Sequence, residues 1–228
     1  MTDHARDLES VREATGRLLA AAAALDNAAV TQPSRLPGWS RGHVLAHLSR
    51  NADAFVNVLD GRPMYVSDAD RDADIARDAA RPLAEHLADL RASTARMERA
   101  AVLTTDWTRT VELRNGVTDT AARLPFRRWA EVELHHVDLD TGYELEHLPE
   151  EFTEREIGFL AARFAGRADV PATRLTDTTR AWTTGEEAAD PAIVVTGARA
   201  GLLGWLAGRR AGDGLSVTGG ELPALPPL

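Results

Sequence analysis

RRWAEVELHHVDLDTG, residues 127–142, is the stretch from which the fold can be read. On a helix, side chains three and four apart share a face, so Arg128, Glu131, His135 and Asp138 form one polar stripe. Apolar stripes flank it: Phe126, Ala130, Leu134 and Val137 on one side, and Val132, His136 and Leu139 towards the other. A surface helix normally carries a single apolar stripe. Two of them around a polar one predict a helix buried on most sides, with its polar residues turned to an internal site. Glu131 and His135, at i and i+4, can bind one metal ion from the same face. The same spacing also fits a solvated stripe, where such a pair contributes about 0.3 kcal/mol.

A second stretch bears on the choice. LPGWSRGHVLAHLSRNADAF, residues 36–55, opens a helix near Arg41, with Ser40 as N-cap and Trp39 with Val44 as a hydrophobic staple. His47 lies between Val44 and Leu48 on its apolar side, with Asn51 one turn further on. A lone histidine there, like His43, is commonly a satisfied core residue. One inward histidine on one helix and an inward Glu–His pair on another is the way metal sites are built inside helical bundles.

The rest of the N-terminal part fits such a bundle. Residues 3–29 read as a long helix, and TQPSRLPGWS (31–40) as a loop. The Arg41 helix runs to about Leu59, where GRP ends it, and the Asp/Arg/Ala-rich residues 64–80 suit a helix or a lid over a site. Residues 81–103 read as another long helix, with Pro82 tolerated in its first turn. A connection with an Asn-Gly turn at 115–116 leads to the helix from about Pro125 to Gly142. Beyond 147 the character changes. A helix from LPEEFTE to about Arg167 precedes β-branched stretches at 173–184, 192–197 and 215–220, with a helix at 198–210 between the last two. The fold class is therefore α+β: a four-helix bundle over residues 1–147 and a small α+β domain over 148–228.

Composition removes several chemistries. The chain of 228 residues has no cysteine, which excludes disulfides, thiolate metal sites and a cysteine nucleophile. All 26 basic residues are arginine, so there is no Schiff-base or P-loop lysine. Any metal must be held by His, Asp, Glu and water. A net charge of −9 argues against nucleic-acid binding, which needs clustered positive charge. The charged N-terminus lacks the apolar core of a signal peptide. The longest apolar run, LLAAAAAL (18–25), is far short of the roughly 20 residues of a membrane span. A soluble cytoplasmic protein is expected; its oligomeric state stays open.

LPGWSRGHVLAHLSRNADAF, RRWAEVELHHVDL and the C-terminal GLLGWLAGRRAGDGLSV with LPALPPL together resemble the mycothiol-dependent maleylpyruvate isomerase family, within the DinB-like metal-binding helical bundles. The resemblance covers most of the chain in the right order. It implies a divalent metal, usually zinc, held by His47, Glu131 and His135, with water in the remaining positions. His136 and Asp138 follow in the same motif, with supporting or packing roles implied. It implies that Arg209, in the W-L-x-G-R segment, faces the active site and holds an anionic substrate. It also implies an arginine before the long 81–103 helix that helps bind the thiol cofactor or substrate. Arg71 is the best match, with Arg77 and Arg81 as rivals; each also fits a solvated helix surface.

The chemistry that follows is thiol-dependent isomerisation. Three protein ligands and open positions make a catalytic type of site, and a thiol loses its proton on coordination at neutral pH. The resemblance makes that thiol mycothiol, adding to the cis double bond of maleylpyruvate and leaving after rotation to give fumarylpyruvate. A dianionic substrate suits a bidentate arginine. Two other readings remain: a mycothiol S-transferase that conjugates electrophiles at the same site, and a metal-binding domain without catalysis.

Overall fold

The structure, a computed structural model, describes residues 3–227. The chain divides into two compact units, the first ending at Tyr143 and the second beginning at Glu144. The first carries helices α1 (His4–Ala23), α2 (Asn27–Val30), α3 (Arg41–Leu59), α4 (Asp68–Asp78), α5 (Leu83–Leu103) and α6 (Leu124–Asp138). The α3–α5, α1–α6, α3–α6 and α1–α5 pairs all pack, which closes the four long helices into a ring. Val11 and Leu18 of α1, Leu45 and Leu48 of α3, Leu90 and Met97 of α5, and Trp129 and Val132 of α6 fill its centre.

Local chemistry sets the ends. The Ser40 side chain accepts from the His43 backbone N–H and starts α3, while His43 returns a bond to the Ser40 N–H in a reciprocal cap. The single helix expected over residues 3–29 is broken after Ala23. Asp26 adopts an extended backbone and accepts from the Ala29 N–H, starting a separate short helix. Within residues 64–80, α4 begins on an N-cap at Ser67. The Asn-Gly turn belongs to a hairpin between β1 (Thr110–Glu112) and β2 (Thr118–Thr120), with Asn115 and Gly116 at φ 60° and 69°.

Two clamps place α3 against α6. In the loop before α3, the Arg35 N–H donates to the Asp138 carbonyl at 2.9 Å, and the Arg35 side chain bonds Asp140. Arg41, the first residue of α3, donates to the carbonyls of Leu139 and Asp140 at 2.7 and 3.1 Å, satisfying the exposed C-terminal end of α6.

The second unit holds α7 (Glu150–Phe164), α8 (Arg199–Leu206) and a mixed four-stranded sheet in the order β4 (Ala181–Thr184), β3 (Thr173–Thr176), β5 (Ile193–Thr196), β6 (Ser216–Thr218). The β-branched stretch at 173–184 is a hairpin, turned at Asp177, whose Oδ1 accepts from the Thr179 and Arg180 backbone. Leu175 pairs with Trp182 on one side and Val195 on the other. Leu175 and Val195 are buried, as are Phe152, Ile157, Leu202 and Leu203 of the two helices. The helical bundle and the small sheet unit together match the α+β class expected from the sequence. Among the described residues no helix is long and apolar enough to cross a membrane.

Gly42 is where α3 meets the end of α4. A Cβ there would lie 2.0 Å from the Ala79 carbonyl oxygen and 3.1 Å from Val30 Cγ1. Gly42→Ala is expected to destabilise the protein by about 1–3 kcal/mol in urea unfolding. Gly16→Ala, in α1 with nothing within 4 Å, should stabilise it by roughly 0.5–1 kcal/mol.

Candidate metal centre

α3 contributes His47 and α6 contributes Glu131 and His135, and one ligand atom of each lies within 4.8 Å of the others. Glu131 Oε2 is the hub. His47 Nε2 donates to it at 2.9 Å, and His135 Nε2 stands 3.3 Å away. The two imidazoles meet edge to face, with centroids 4.6 Å apart. Trp39 packs beside His47 and stacks on His43, closing one side of the cluster.

The outer nitrogens of both rings are occupied. His135 Nδ1 donates to Asp138 Oδ2 at 2.9 Å, and Asp138 is fully buried. This directs the Nε2 of His135 to the hub, as metal-binding histidines are commonly held. His47 Nδ1 faces Arg71 Nη2 at 3.3 Å. A guanidinium only donates, so Nδ1 accepts and Nε2 carries the proton shared with Glu131. Arg71 also pairs with Asp72 at 2.6 Å and lies over the Tyr65 ring. Of the three candidate arginines, Arg71 therefore reaches the cluster, whereas Arg77 pairs with Asp74 and Asp78, and Arg81 with Asp78 and Asp89.

Electrostatics follow this geometry. Burial outweighs the Glu131 bond at His47 and lowers its pKa to about 4, so its imidazole is neutral at pH 7. Burial also opposes the charged form of His135, but its bonds to Asp138 and Glu131 prevail and raise its pKa. Burial would raise the pKa of Glu131; the bonds from His135 and His47 hold it well below the usual carboxylate range. A neutral imidazole, a second imidazole oriented by a carboxylate, and an ionised carboxylate make a donor set for a divalent cation such as zinc. Two nitrogens and one oxygen leave coordination positions for water or a ligand.

The opposite side of α6 holds a second polar group that spacing did not reveal. Glu133 is fully buried and accepts from Arg17 at 2.6 Å, the Trp129 indole at 3.0 Å and the Tyr143 hydroxyl at 2.8 Å. His136 stacks on Tyr143 with centroids 4.0 Å apart, and neither of its ring nitrogens has a hydrogen-bond partner among the described residues. Burial lowers its pKa to about 4. Arg209, in the second unit, follows α8. It donates to the Ala207 carbonyl at 2.8 Å and borders a cavity of about 580 Å³ with Trp205 and Pro223.

The chain matches the family model of the mycothiol maleylpyruvate isomerase N-terminal domain over residues 11–140, and that of the MDMPI C-terminal domain over residues 147–227. It is similar to the crystal structure of a mycothiol-dependent maleylpyruvate isomerase, with a TM-score of 0.86 and 26% identity over 99% of this chain and 97% of that one. A histidine-to-alanine mutant of such an isomerase matches with the same TM-score, 0.86. No curated protein matches the chain.

Two measurements separate the faces of α6. Glu131→Gln should lower metal affinity in a chelator competition, and it should also destabilise metal-free protein, where His47 and His135 hold the ionised carboxylate. Glu133→Gln should retain metal and lose about 1–3 kcal/mol of stability through its charged hydrogen bonds. Acid should also act through His136. A histidine whose pKa falls from 6.5 unfolded to about 4 folded binds fewer protons in the native state. Stability contributed by its neutral form is present above pH 6.5 and is lost as pH falls towards 4. In metal-free protein, His136→Phe should flatten the urea-midpoint profile across that window.

Proposed function

Because the chain belongs to the mycothiol maleylpyruvate isomerase family, we propose that it is a metal- and mycothiol-dependent enzyme. The proposed reaction is cis–trans isomerisation of maleylpyruvate or a similar cis-enoyl acid. The observation that carries this reading is the convergence of His47, Glu131 and His135 to within 4.8 Å between two helices of a chain of this family. These three residues would hold a divalent cation, zinc by preference of the donor set. The cation would supply Lewis acidity and make the mycothiol thiol acidic enough to react as a thiolate at neutral pH.

The chain's own residues have distinct tasks in this scheme. Asp138 keeps the His135 proton on Nδ1, which leaves Nε2 free for the cation. His47 must give up the Nε2 proton it now shares with Glu131 and carry its proton on Nδ1. Arg71 cannot accept from that position and must turn away from it. Arg71, whose Nη2 faces His47, would bind an anionic group of the thiol cofactor or substrate. Arg209 is assigned the other anionic contact, through the bidentate fork that a lysine could not offer. Since the chain has no cysteine, no side-chain thiol competes for the cation.

The test combines metal analysis with an absorbance assay of maleylpyruvate and mycothiol. Wild-type protein is expected to hold one metal per chain and to isomerise substrate with no net thiol consumption. His47→Ala should lose both metal and activity. Arg209→Met should keep metal while KM rises or kcat falls. Stable thioether formation without isomerisation would replace this reading by S-transfer. A protein without stoichiometric metal that His47→Ala leaves unchanged would replace it by a non-catalytic domain.

A further inference from the structure

Arg128 is a buried charge of the first unit that forms no salt bridge among the described residues. It is 1% exposed and sits in α6 one turn before Glu131. Its Nη1 donates to Asn51 Oδ1 at 2.6 Å. Its Nε and Nη2 are buried and have no hydrogen-bond partner among the described residues. The one acceptor it meets is a neutral amide. By contrast, Arg71 is paired with Asp72 and Arg17 with Glu133. A buried charge with unmade hydrogen bonds is costly, and such a group in a native fold calls for an explanation.

The two unpartnered nitrogens are informative as a pair. Nε–H and Nη2–H point the same way from one edge of the planar guanidinium. That edge is a fork matching the two oxygens of a carboxylate. The remaining Nη1 is spent on Asn51, which fixes the plane.

The location points to the same ligand as the metal centre. Asn51 lies one turn beyond His47 on α3, and Arg128 one turn before Glu131 on α6. They form the layer of the bundle next to the His47–Glu131–His135 layer. Tyr65 stands nearby, its ring centroid 5.8 Å from the guanidinium of Arg71, which reaches His47. It also lines a cavity of about 490 Å³ with Met64, Arg109 and Leu113.

We propose that the Nε–Nη2 edge of Arg128 is a carboxylate-binding site. It takes one carboxylate of a small dicarboxylic ligand whose reacting end lies at the His47–Glu131–His135 cluster. The choice of a dicarboxylic ligand rests on the proposed function; the unpartnered Nε–Nη2 edge does not.

Titration calorimetry of zinc-loaded protein with maleate, in the absence of mycothiol, tests the site. Wild-type protein is expected to bind maleate more tightly than isocrotonate, which lacks the second carboxylate. Arg128→Met should weaken maleate binding about tenfold or more and abolish that preference, and Arg128→Lys should restore part of it. If Arg128→Met does not fold, Asn51→Asp serves instead. It gives the guanidinium an internal counter-ion and should likewise weaken maleate binding. Equal maleate affinity in wild type and the folded variants overturns the site, as does a wild-type protein that does not bind maleate. The mycothiol-dependent assay on the same wild-type sample reads the proposed function separately. Isomerisation with Arg128-independent binding overturns the carboxylate site alone. Arg128-dependent binding without isomerisation retains the site and overturns the proposed function.

Discussion

A carboxylate set between helices has to be compensated, and Glu131 is compensated by histidines from two of them. His47 comes from α3 and His135 from its own helix, both meeting one oxygen. That arrangement tolerates little slip between α3 and α6. A shift by one residue would turn a side chain by about 100° around its helix and leave the charge facing apolar neighbours. The clamps at the end of α6 hold this register. Arg41 anchors the first residue of α3 to the terminal carbonyls of α6, and Arg35 ties the preceding loop to Asp138 and Asp140. The residue that orients His135 therefore also receives, through its backbone, the loop that launches the His47 helix.

Much of this was legible because it is local and periodic. The stripe of Arg128, Glu131, His135 and Asp138 follows from helical geometry, and so does the inward side of His47 and Asn51. Ser40 announces the start of α3, and the Asn-Gly pair a turn. What periodicity could not supply is which distant chain each face meets. Glu133 looks like an ordinary solvated glutamate next to the stripe. It is buried because Arg17 of α1 packs against that side of α6. The break after Ala23 was hidden for a similar reason. An alanine-rich run favours continuing the helix, and the Asp26 side chain competes with it only through its own backbone contact. Arg71 lies in a stretch where aspartate and arginine alternate without an apolar period, so only the fold could distinguish it from Arg77 and Arg81.

The neighbouring histidines 135 and 136 show how much one helical step decides. Both are imidazoles in the same turn, largely removed from water. His135 faces α3, between two carboxylates, and its pKa is raised. His136 faces away, stacked on Tyr143 with no hydrogen-bond partner among the described residues, and its pKa falls to about 4. The sequence pair His-His gives no hint of this split. The polar stripe implies it, because residues three or four apart from His135 are Glu131 and Asp138, whereas the corresponding residues for His136 are Val132 and Leu139.

Arginine as the only basic side chain besides histidine then acquires a structural consequence. A lysine at position 128 could reach Asn51 but would present a point charge with no defined edge. A guanidinium can spend one nitrogen on Asn51 and keep a directed pair of donors in reserve. Since an unpaired buried cation is unfavourable in the free protein, its persistence beside Glu131 makes the interior more receptive to an anion than to a neutral molecule. The cation expected at His47, Glu131 and His135 would add positive charge to the adjoining layer, strengthening that preference. On the proposed function, a metal ion at His47, Glu131 and His135 and an anionic ligand at Arg128 would each meet a different part of the polar interior of the bundle.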